Sequence, residues 1–217
     1  MGLQQQLDAF KTEFKRTAPA GRPALYEAKI EELRASFALE RAIRTGDQAR
    51  DFTLPDLQGR NVSLGALLKA GPAIVTFYRG GCCPYCNIQL RAYQAVLPEM
   101  TALGARLVAI SPQLPDSSLS TAESNELTFA VLSDVGNRVA RTFGLVWSLP
   151  EELRAALRSS DKALPRINGD DSWELPVPAT CVIARDRRVA LAGIDVDYRN
   201  RLESDAIIAT LRSLRPA

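Results

Sequence analysis

The stretch PAIVTFYRGGCCPYCNIQLRAYQAVL, residues 72–97, decides the fold and carries most of the chemistry of this chain. Its first seven residues, 72–78, are rich in β-branched and aromatic side chains, which indicates a buried central strand. Gly80-Gly81 interrupts that run, and from residue 84 to about residue 103 the apolar residues recur with a helical period. The junction between strand and helix is Cys83-Pro84-Tyr85-Cys86.

The two cysteines at this junction have different predicted surroundings. Proline is favoured at the first position of a helix, so Pro84 makes Cys83 the residue that caps the helix. Unpaired N–H groups and the helix dipole then favour the Cys83 thiolate, and we expect its pKa to fall below the ordinary ~8.5. Cys86 shares the inward face of the helix with Leu90 and Tyr93. We therefore predict an exposed attacking thiol at Cys83 and a shielded resolving thiol at Cys86.

The sequence on either side of this junction indicates an α/β domain. Strand-like runs at 106–110 and 129–132 alternate with helix-like segments. A hairpin-like strand pair at 179–194 and a helix at 205–214 follow. Alternating strands and helices imply parallel pairing with right-handed crossovers. The predicted architecture is a central mixed β-sheet flanked by helices.

Two segments fall outside this alternation. Residues 1–45 hold two amphipathic helical stretches, which predict an N-terminal helical extension. Their apolar stripes could pack on the domain or on a second copy of the chain, as in a homodimer. Residues 147–176 combine a short helical patch with a turn-rich run and indicate an insertion. We predict a domain at 46–217 that contains this insertion.

Composition removes several classes of function. The chain has 217 residues, a formal net charge of +2 and no histidine, so histidine acid–base catalysis and histidine metal ligation are excluded. It shows no basic block typical of nucleic-acid binding, no signal peptide and no apolar run of ~18 residues. Its four cysteines suit a soluble cytoplasmic protein with working thiols. A zinc site would need Cys82 beside Cys83, too close for both to ligate, so no metal or other cofactor is expected.

Several motifs in a fixed order carry a resemblance to a known family. They are Gly46–Pro55, Thr76–Gly81 with the cysteine pair, Ile110–Gln113 and Val131–Asp134. With them the chain resembles the alkyl hydroperoxide reductase/thiol-specific antioxidant (AhpC/TSA) family, and more narrowly its peroxiredoxin-like branch, over residues 46–213. The resemblance implies a thioredoxin-like fold and a cysteine-dependent antioxidant peroxidase.

The resemblance assigns the cysteines differently from the local chemistry. In peroxiredoxins the peroxide-attacking cysteine follows a Thr or Ser by three positions, so the matching residue is Cys86 and Cys83 stands in place of the threonine. The arginine that accompanies the family's cysteine is replaced by Pro178, which looks like the cis-proline of thioredoxins. Arg79, just upstream of the motif, is then the candidate for the missing positive charge.

Two residues in or beside the motif, Cys82 and Tyr85, each allow two interpretations. Cys82 stands where this branch usually has tryptophan, and is either a small apolar substitute beneath the loop or a third redox-active thiol. Tyr85 either shapes a substrate-facing loop or packs. Cys181 lies inside a predicted strand, where a role in the core is expected.

Three functions fit these residues. The first is reduction of hydrogen peroxide or organic hydroperoxides by a dithiol/disulfide cycle, which thioredoxin, glutathione or a similar thiol renews. The second is thioredoxin-like exchange on protein disulfides with Cys83 as nucleophile. The third is a redox-inert scaffold whose N-terminal helices mediate assembly. The breadth of the resemblance favours peroxide reduction.

Overall fold

A five-stranded mixed sheet lies at the centre of the molecule, in a computed structural model that describes residues 2–215. The outer limits of the predicted extension and domain, residues 1 and 217, lie outside the described part. The strands in chain order are β1 (Thr53–Pro55), β2 (Asn61–Ser63), β3 (Ala73–Phe77), β4 (Arg106–Ser111), β5 (Ala130–Ser133), β6 (Val146–Ser148), β7 (Glu174–Pro176), β8 (Ala179–Ile183) and β9 (Val189–Ile194).

The strand predicted to be central, β3, occupies the middle of the sheet order β5-β4-β3-β8-β9. β4 runs parallel to β3 and β5 runs parallel to β4, whereas β8 is antiparallel to both β3 and β9. All five residues of β3 are buried, because helices and loops cover both faces of the sheet. The predicted α/β class with a mixed sheet is therefore confirmed.

The predicted helices lie close to their expected positions, although one of them is divided, and the short helices at 64–70 and 164–168 were not predicted. The helix expected over 84–103 is divided at Val96, because Pro98 lacks the N–H group that a continuous helix needs there. None of the helices within residues 2–215 is long and apolar enough to span a membrane. The α-helices are α1 (Leu3–Thr17), α2 (Arg22–Ser36), α3 (Leu64–Ala70), α4 (Pro84–Ala95), α5 (Leu97–Ala102), α6 (Pro115–Ser124), α7 (Arg138–Thr142), α8 (Glu151–Arg158), α9 (Leu164–Asn168) and α10 (Ser204–Ser213), with a 3₁₀ turn at Leu39–Arg41.

Alternate residues of β3 contribute to two separate cores, one on each face of the sheet. Ile74 belongs to the core formed with α1, α4 and α10, which includes Leu90 and Ile207. Val75 belongs to the core formed with α3 and α7, which includes Leu64. Side chains of a strand point alternately to opposite faces, so this division follows from the strand period of two. The cysteine pair lies in the first of these cores.

The extension packs on the domain through α1. Leu3 and Leu7 are buried in the same core as α4. The first N–H groups of α1, those of Leu3 and Gln4, donate to the Glu203 carboxylate at 3.1 and 2.8 Å, which satisfies donors that no turn of the helix can reach. The inner face of α1 is therefore covered by this chain itself. The division at 45–46 and the homodimer stay predictions.

The segment predicted to be an insertion forms its own small layer. β6 and β7 pair antiparallel at its two ends, with Trp147 opposite Leu175. Between them α8 and α9 enclose a cluster that contains Leu149, Leu153 and Trp173. This layer packs against α2, so the extension and the insertion together flank the beginning of α4.

Candidate active site

The loop from β3 to α4 is held by hydrogen bonds that fix the cysteine pair. Cys83 caps α4 as predicted, and its carbonyl accepts from the N–H groups of Cys86 at 3.0 Å and Asn87 at 3.2 Å. The Gly81 N–H donates to Gln113 Oε1 at 2.9 Å, and Asn87 Nδ2 donates to the Gly81 carbonyl at 2.9 Å. These hydrogen bonds fix the backbone that carries the two cysteines.

Both thiols are buried, which differs from the predicted exposure of Cys83. Cys83 is 8% exposed and Cys86 is 0% exposed. Three rings cover the site: Phe10 of α1 meets Tyr85 edge-on at 5.0 Å between centroids, and Tyr85 meets Tyr198 at 5.5 Å. The prediction was wrong because the cover comes from α1 and from the loop after β9, both distant in sequence. Cys83 nonetheless remains the more accessible sulfur.

The pKa values of the two thiols are shifted in opposite directions. A hydrogen bond from Cys86 holds the pKa of Cys83 well below its ordinary value against the opposing effect of burial, and the charges of Arg79 and Arg201 lower it further. Burial raises the pKa of Cys86 well above its ordinary value, and the neighbouring Cys83 adds to this. The negative charge of the pair therefore resides on Cys83, as its position at the helix N-terminus predicted.

Arg79 lies beside the cysteine pair with its charge unneutralised. Its guanidinium carbon is 4.2 Å from the centre of the Tyr198 ring. Within residues 2–215 its side chain forms no hydrogen bond or ion pair, and its Nε is buried without a partner. Burial lowers the pKa of Arg79, but the facing Cys83 and Tyr198 outweigh this and raise it. The charge is thus near the thiols, where the sequence predicted it, and its role stays a prediction.

A second arginine, Arg201, was not predicted. Its Nη2 lies 3.5 Å from Cys86 Sγ, and its Nη1 donates to Gln89 Oε1 at 2.7 Å. The nearby Arg199 instead forms bonds of 2.7 and 2.8 Å to Asp197 within its own turn. No periodicity in this loop distinguishes the two arginines, so the sequence carried no signal for Arg201.

Pro178 is not the cis-proline that the sequence suggested. No cis peptide bond occurs within residues 2–215, so the Val177–Pro178 bond is trans. Here the chain passes from β7 into β8, with the Val177 N–H donating to the Leu145 carbonyl at 2.7 Å, and trans proline suits such an extended run. Pro178 lies with Gln89 and Arg201 in a second cleft, of about 190 Å³, on the Cys86 side of the site.

An apolar cavity of about 230 Å³ leads to Cys83. Its walls come from α1, α2 and the insertion, and Arg79 also faces it. Three cations, Arg22, Lys29 and Lys162, lie along it. The residues of the motif that reach the cavity are Cys82, Cys83, Pro84 and Tyr85, and its apolar walls include Phe10, Phe14, Tyr26, Trp147, Leu153 and Leu164.

The remaining cysteines differ in surroundings. Cys82 is half-buried against the apolar cluster of the insertion, and burial raises its pKa, so it is a neutral thiol in this state. Cys181 lies on the opposite face of the sheet from the pair, and burial raises the pKa of Cys181 to about 12. Within the described residues no group of three or more cysteines and carboxylates could hold a metal ion.

A dithiol at the start of the helix that follows a central strand defines a thiol oxidoreductase of the thioredoxin type. Residues 45–192 match the AhpC/TSA family. The match covers more than half of the chain, and the motifs on which the resemblance rested lie within or at the edge of it. The chain therefore belongs to the AhpC/TSA family, among the peroxiredoxin-like thiol-dependent peroxidases.

Individual relatives agree with this assignment. Chloroplastic peroxiredoxin Q of Gentiana triflora is 30% identical over 157 residues, which are 72% of this chain and 67% of the relative. The crystal structure of peroxidoxin BcpB from Mycobacterium tuberculosis, 26% identical, matches with a TM-score of 0.63 over 80% of this chain and 99% of that one. Peroxiredoxin Q of Xanthomonas campestris, 18% identical, shares the fold with a TM-score of 0.59 over 80% and 98%. The thioredoxin-like fold is confirmed.

Proposed function

We propose that this peroxidase reduces organic hydroperoxides, with Cys83 as the attacking thiol and Cys86 as the resolving thiol. The observation that carries the proposal is that Cys83 and the unpaired Arg79 guanidinium face the same apolar cavity. A thiolate needs both a route for the peroxide and a positive charge for the oxygen that departs. Cys86 has no exposed surface, which suits a thiol that reacts only with its neighbour.

The proposed cycle has three steps. The Cys83 thiolate attacks the terminal oxygen of ROOH, the O–O bond breaks, and a proton converts the departing RO⁻ to ROH while Cys83 becomes a sulfenic acid. The Cys86 thiolate then attacks the Cys83 sulfur, and hydroxide leaves as water after taking one proton. Two external thiols reduce the resulting disulfide and become a disulfide themselves.

The cavity supports an organic rather than an inorganic peroxide. An apolar cavity of ~150 Å³ is enough to bind benzene, and this one measures about 230 Å³. Hydrogen peroxide would leave its aromatic and aliphatic walls unused. The Lys162 ammonium forms no ion pair or side-chain hydrogen bond within residues 2–215, and it offers a charge for an acidic group at the far end of a substrate.

We propose that thioredoxin, glutathione or a similar cellular thiol renews the dithiol, and that the cycle runs in the cytoplasm. Exchange on large protein disulfides is the second candidate, favoured by the low pKa of Cys83 at the first position of C-x-x-C. The burial of Cys83 opposes it, because a bulky disulfide would have to reach a residue that is only 8% exposed and that shares its cavity with the rings of Phe10, Tyr85 and Tyr198.

Single variants test the assignment. Each of Cys83→Ser and Cys86→Ser is mixed with one equivalent of cumene hydroperoxide without reductant, and peroxide loss and sulfenic acid are followed by mass spectrometry. We expect Cys86→Ser to consume the peroxide once and to carry sulfenic acid on Cys83, and Cys83→Ser to consume none. Cys181→Ala is the matched control, since that thiol lies on the other face of the sheet.

The reverse pattern, sulfenic acid on Cys86 of the Cys83→Ser variant, would make Cys86 the attacking thiol, as the family position implies. Peroxide loss that neither variant slows, together with insulin reduction that Cys83→Ser abolishes, would replace peroxide reduction by disulfide exchange. A higher kcat/KM for hydrogen peroxide than for cumene hydroperoxide would contradict the substrate class.

A further inference from the structure

Arg201 holds a fixed position against the buried sulfur of the pair. Its Nη2 is 3.5 Å from Cys86 Sγ, and both its Nε and its Nη2 donate to the Tyr198 carbonyl. Its Nη1 donates to Gln89 at 2.7 Å, and Gln89 in turn donates to Thr180 at 3.2 Å. The side chain is thus tied both to its own loop and to α4, and its orientation is set before any reaction begins.

Arg201 does not line the cavity that leads to Cys83. It borders the second cleft, together with Gln89, Pro178 and Thr180, and the two spaces share no lining residue. Arg79 faces the substrate cavity, whereas Arg201 lies behind the pair. One arginine therefore lies on the substrate side of the pair and the other contacts the resolving sulfur.

The resolving step poses an electrostatic problem that this arrangement addresses. A resolving cysteine must be a thiolate when it attacks, yet Cys86 is wholly buried and the thiolate of Cys83 opposes a second negative charge. The titratable and charged groups that face Cys86 are Cys83, Arg79, Tyr78 and Arg201. When Cys83 becomes a neutral sulfenic acid, its repulsion ends and the attraction of the arginines remains.

We infer that Arg201 is a positioning residue that stabilises Cys86 as the thiolate which closes the disulfide. The inference rests on the proposed function. In the step concerned, the proton of the Cys86 thiol leaves, the sulfur electron pair forms the S–S bond, and the S–O bond of the Cys83 sulfenic acid breaks to release water. Cys86 stays protonated while Cys83 is charged and ionises once Cys83 has reacted, so the order of the two chemical steps is set by charge.

The test measures sulfenic acid formation and disulfide closure separately in the variants Arg201→Met and Arg201→Lys, after rapid mixing with cumene hydroperoxide. Sulfenic acid on Cys83 is trapped with dimedone, and disulfide closure is followed by mass spectrometry across a pH series. We expect disulfide closure in Arg201→Met to be at least about tenfold slower near neutral pH, and the pH midpoint of the closure rate to be higher. The reason is that a rise of one unit in the pKa of Cys86 lowers its thiolate fraction about tenfold. Sulfenic acid formation should fall less, and Arg201→Lys should recover part of the closure rate.

Arg212→Met is the matched control, because that arginine is exposed on α10 and pairs with Glu99 away from the thiols. If Arg201→Met does not fold, Gln89→Met removes the 2.7 Å anchor instead and should also slow closure. Closure at the wild-type rate and pH midpoint, or an equal loss in both steps, overturns the inference. A wild-type protein that forms no sulfenic acid on Cys83 overturns the proposed function instead, so the two failures are distinguishable.

Discussion

The guanidinium carbon of Arg79 lies 4.2 Å from the centre of the Tyr198 ring, close to the cysteine pair. A ring face attracts a cation without neutralising it, whereas a carboxylate at this place would form an ion pair. Tyr198 in turn packs edge-on against Tyr85, which belongs to the cysteine motif. The aromatic cover of the site therefore also holds one of the charges that, after the hydrogen bond from Cys86, lower the pKa of Cys83.

Replacing Arg79 should weaken Cys83, the thiol that we propose attacks the peroxide. In Arg79→Met we expect the pKa of Cys83 to rise, so the acid limb of peroxide consumption should move to higher pH, with a rate on that limb about tenfold lower for each unit of the rise. Arg79→Lys should recover only part, because an ammonium lacks the planar face that stacks on Tyr198. Stopped-flow peroxide consumption against pH measures this, with the exposed Arg106→Met as control. An unchanged pH profile in Arg79→Met would contradict the assigned role.

The hydrogen bond between the thiols gives a prediction about pH. The lowered pKa of Cys83 means that its thiolate is present above that pKa and is lost as the pH falls through it, so the acid limb of the rate should lie below the ordinary ~8.5 of cysteine. Cys86→Ser keeps a donor to Cys83 and Cys86→Ala removes it. The acid limb of the rate in the alanine variant should therefore lie at higher pH, and so should the titration of its thiolate, which ultraviolet absorbance measures. Identical limbs would show that the bond does not set the pKa.

Filling the cavity should change substrate preference. Leu157 of α8 lines it, and Leu157→Trp adds volume where the organic part of the substrate is proposed to lie. We expect kcat/KM for cumene hydroperoxide to fall by about tenfold, the scale of a poorly fitting apolar group, while the value for hydrogen peroxide stays the same. Leu119→Trp, at a residue 39% exposed on α6, is the control. Equal losses for both peroxides would argue against the cavity as the binding site.

The loop before the cysteines should tolerate no side chain at Gly81. A Cβ there would lie 2.2 Å from Thr121 Oγ1, and overpacking of this kind costs about 1–3 kcal/mol. Gly81→Ala should lower the free energy of unfolding and disturb the cap at Cys83. Adding Thr121→Ala removes Oγ1, which is the closest atom, together with Cγ2, and should recover much of the loss in urea denaturation. A double variant as unstable as Gly81→Ala alone would show that the clash is not the cause.

The sequence predicted correctly those features that depend on residues close together in the chain. The buried strand β3, the turn and the cap at Cys83 all follow from residues 72–97, and the alternation around them gave the mixed sheet. The burial of Cys83 was missed because Phe10 lies some seventy residues earlier in the chain. Arg201 was missed because it reaches Cys86 across a separation of 115 residues. Pro178 was misassigned because a proline before a strand is compatible with either isomer.

The bonds from Glu203 to the start of α1 have a consequence for biosynthesis. The N–H groups of Leu3 and Gln4 meet this carboxylate across separations of 200 and 199 residues. The helix that carries Phe10 therefore leaves the ribosome long before the group that anchors its first turn. Contacts so far apart in sequence form late. A nascent chain would thus hold its reactive sulfurs uncovered until Glu203 has been made.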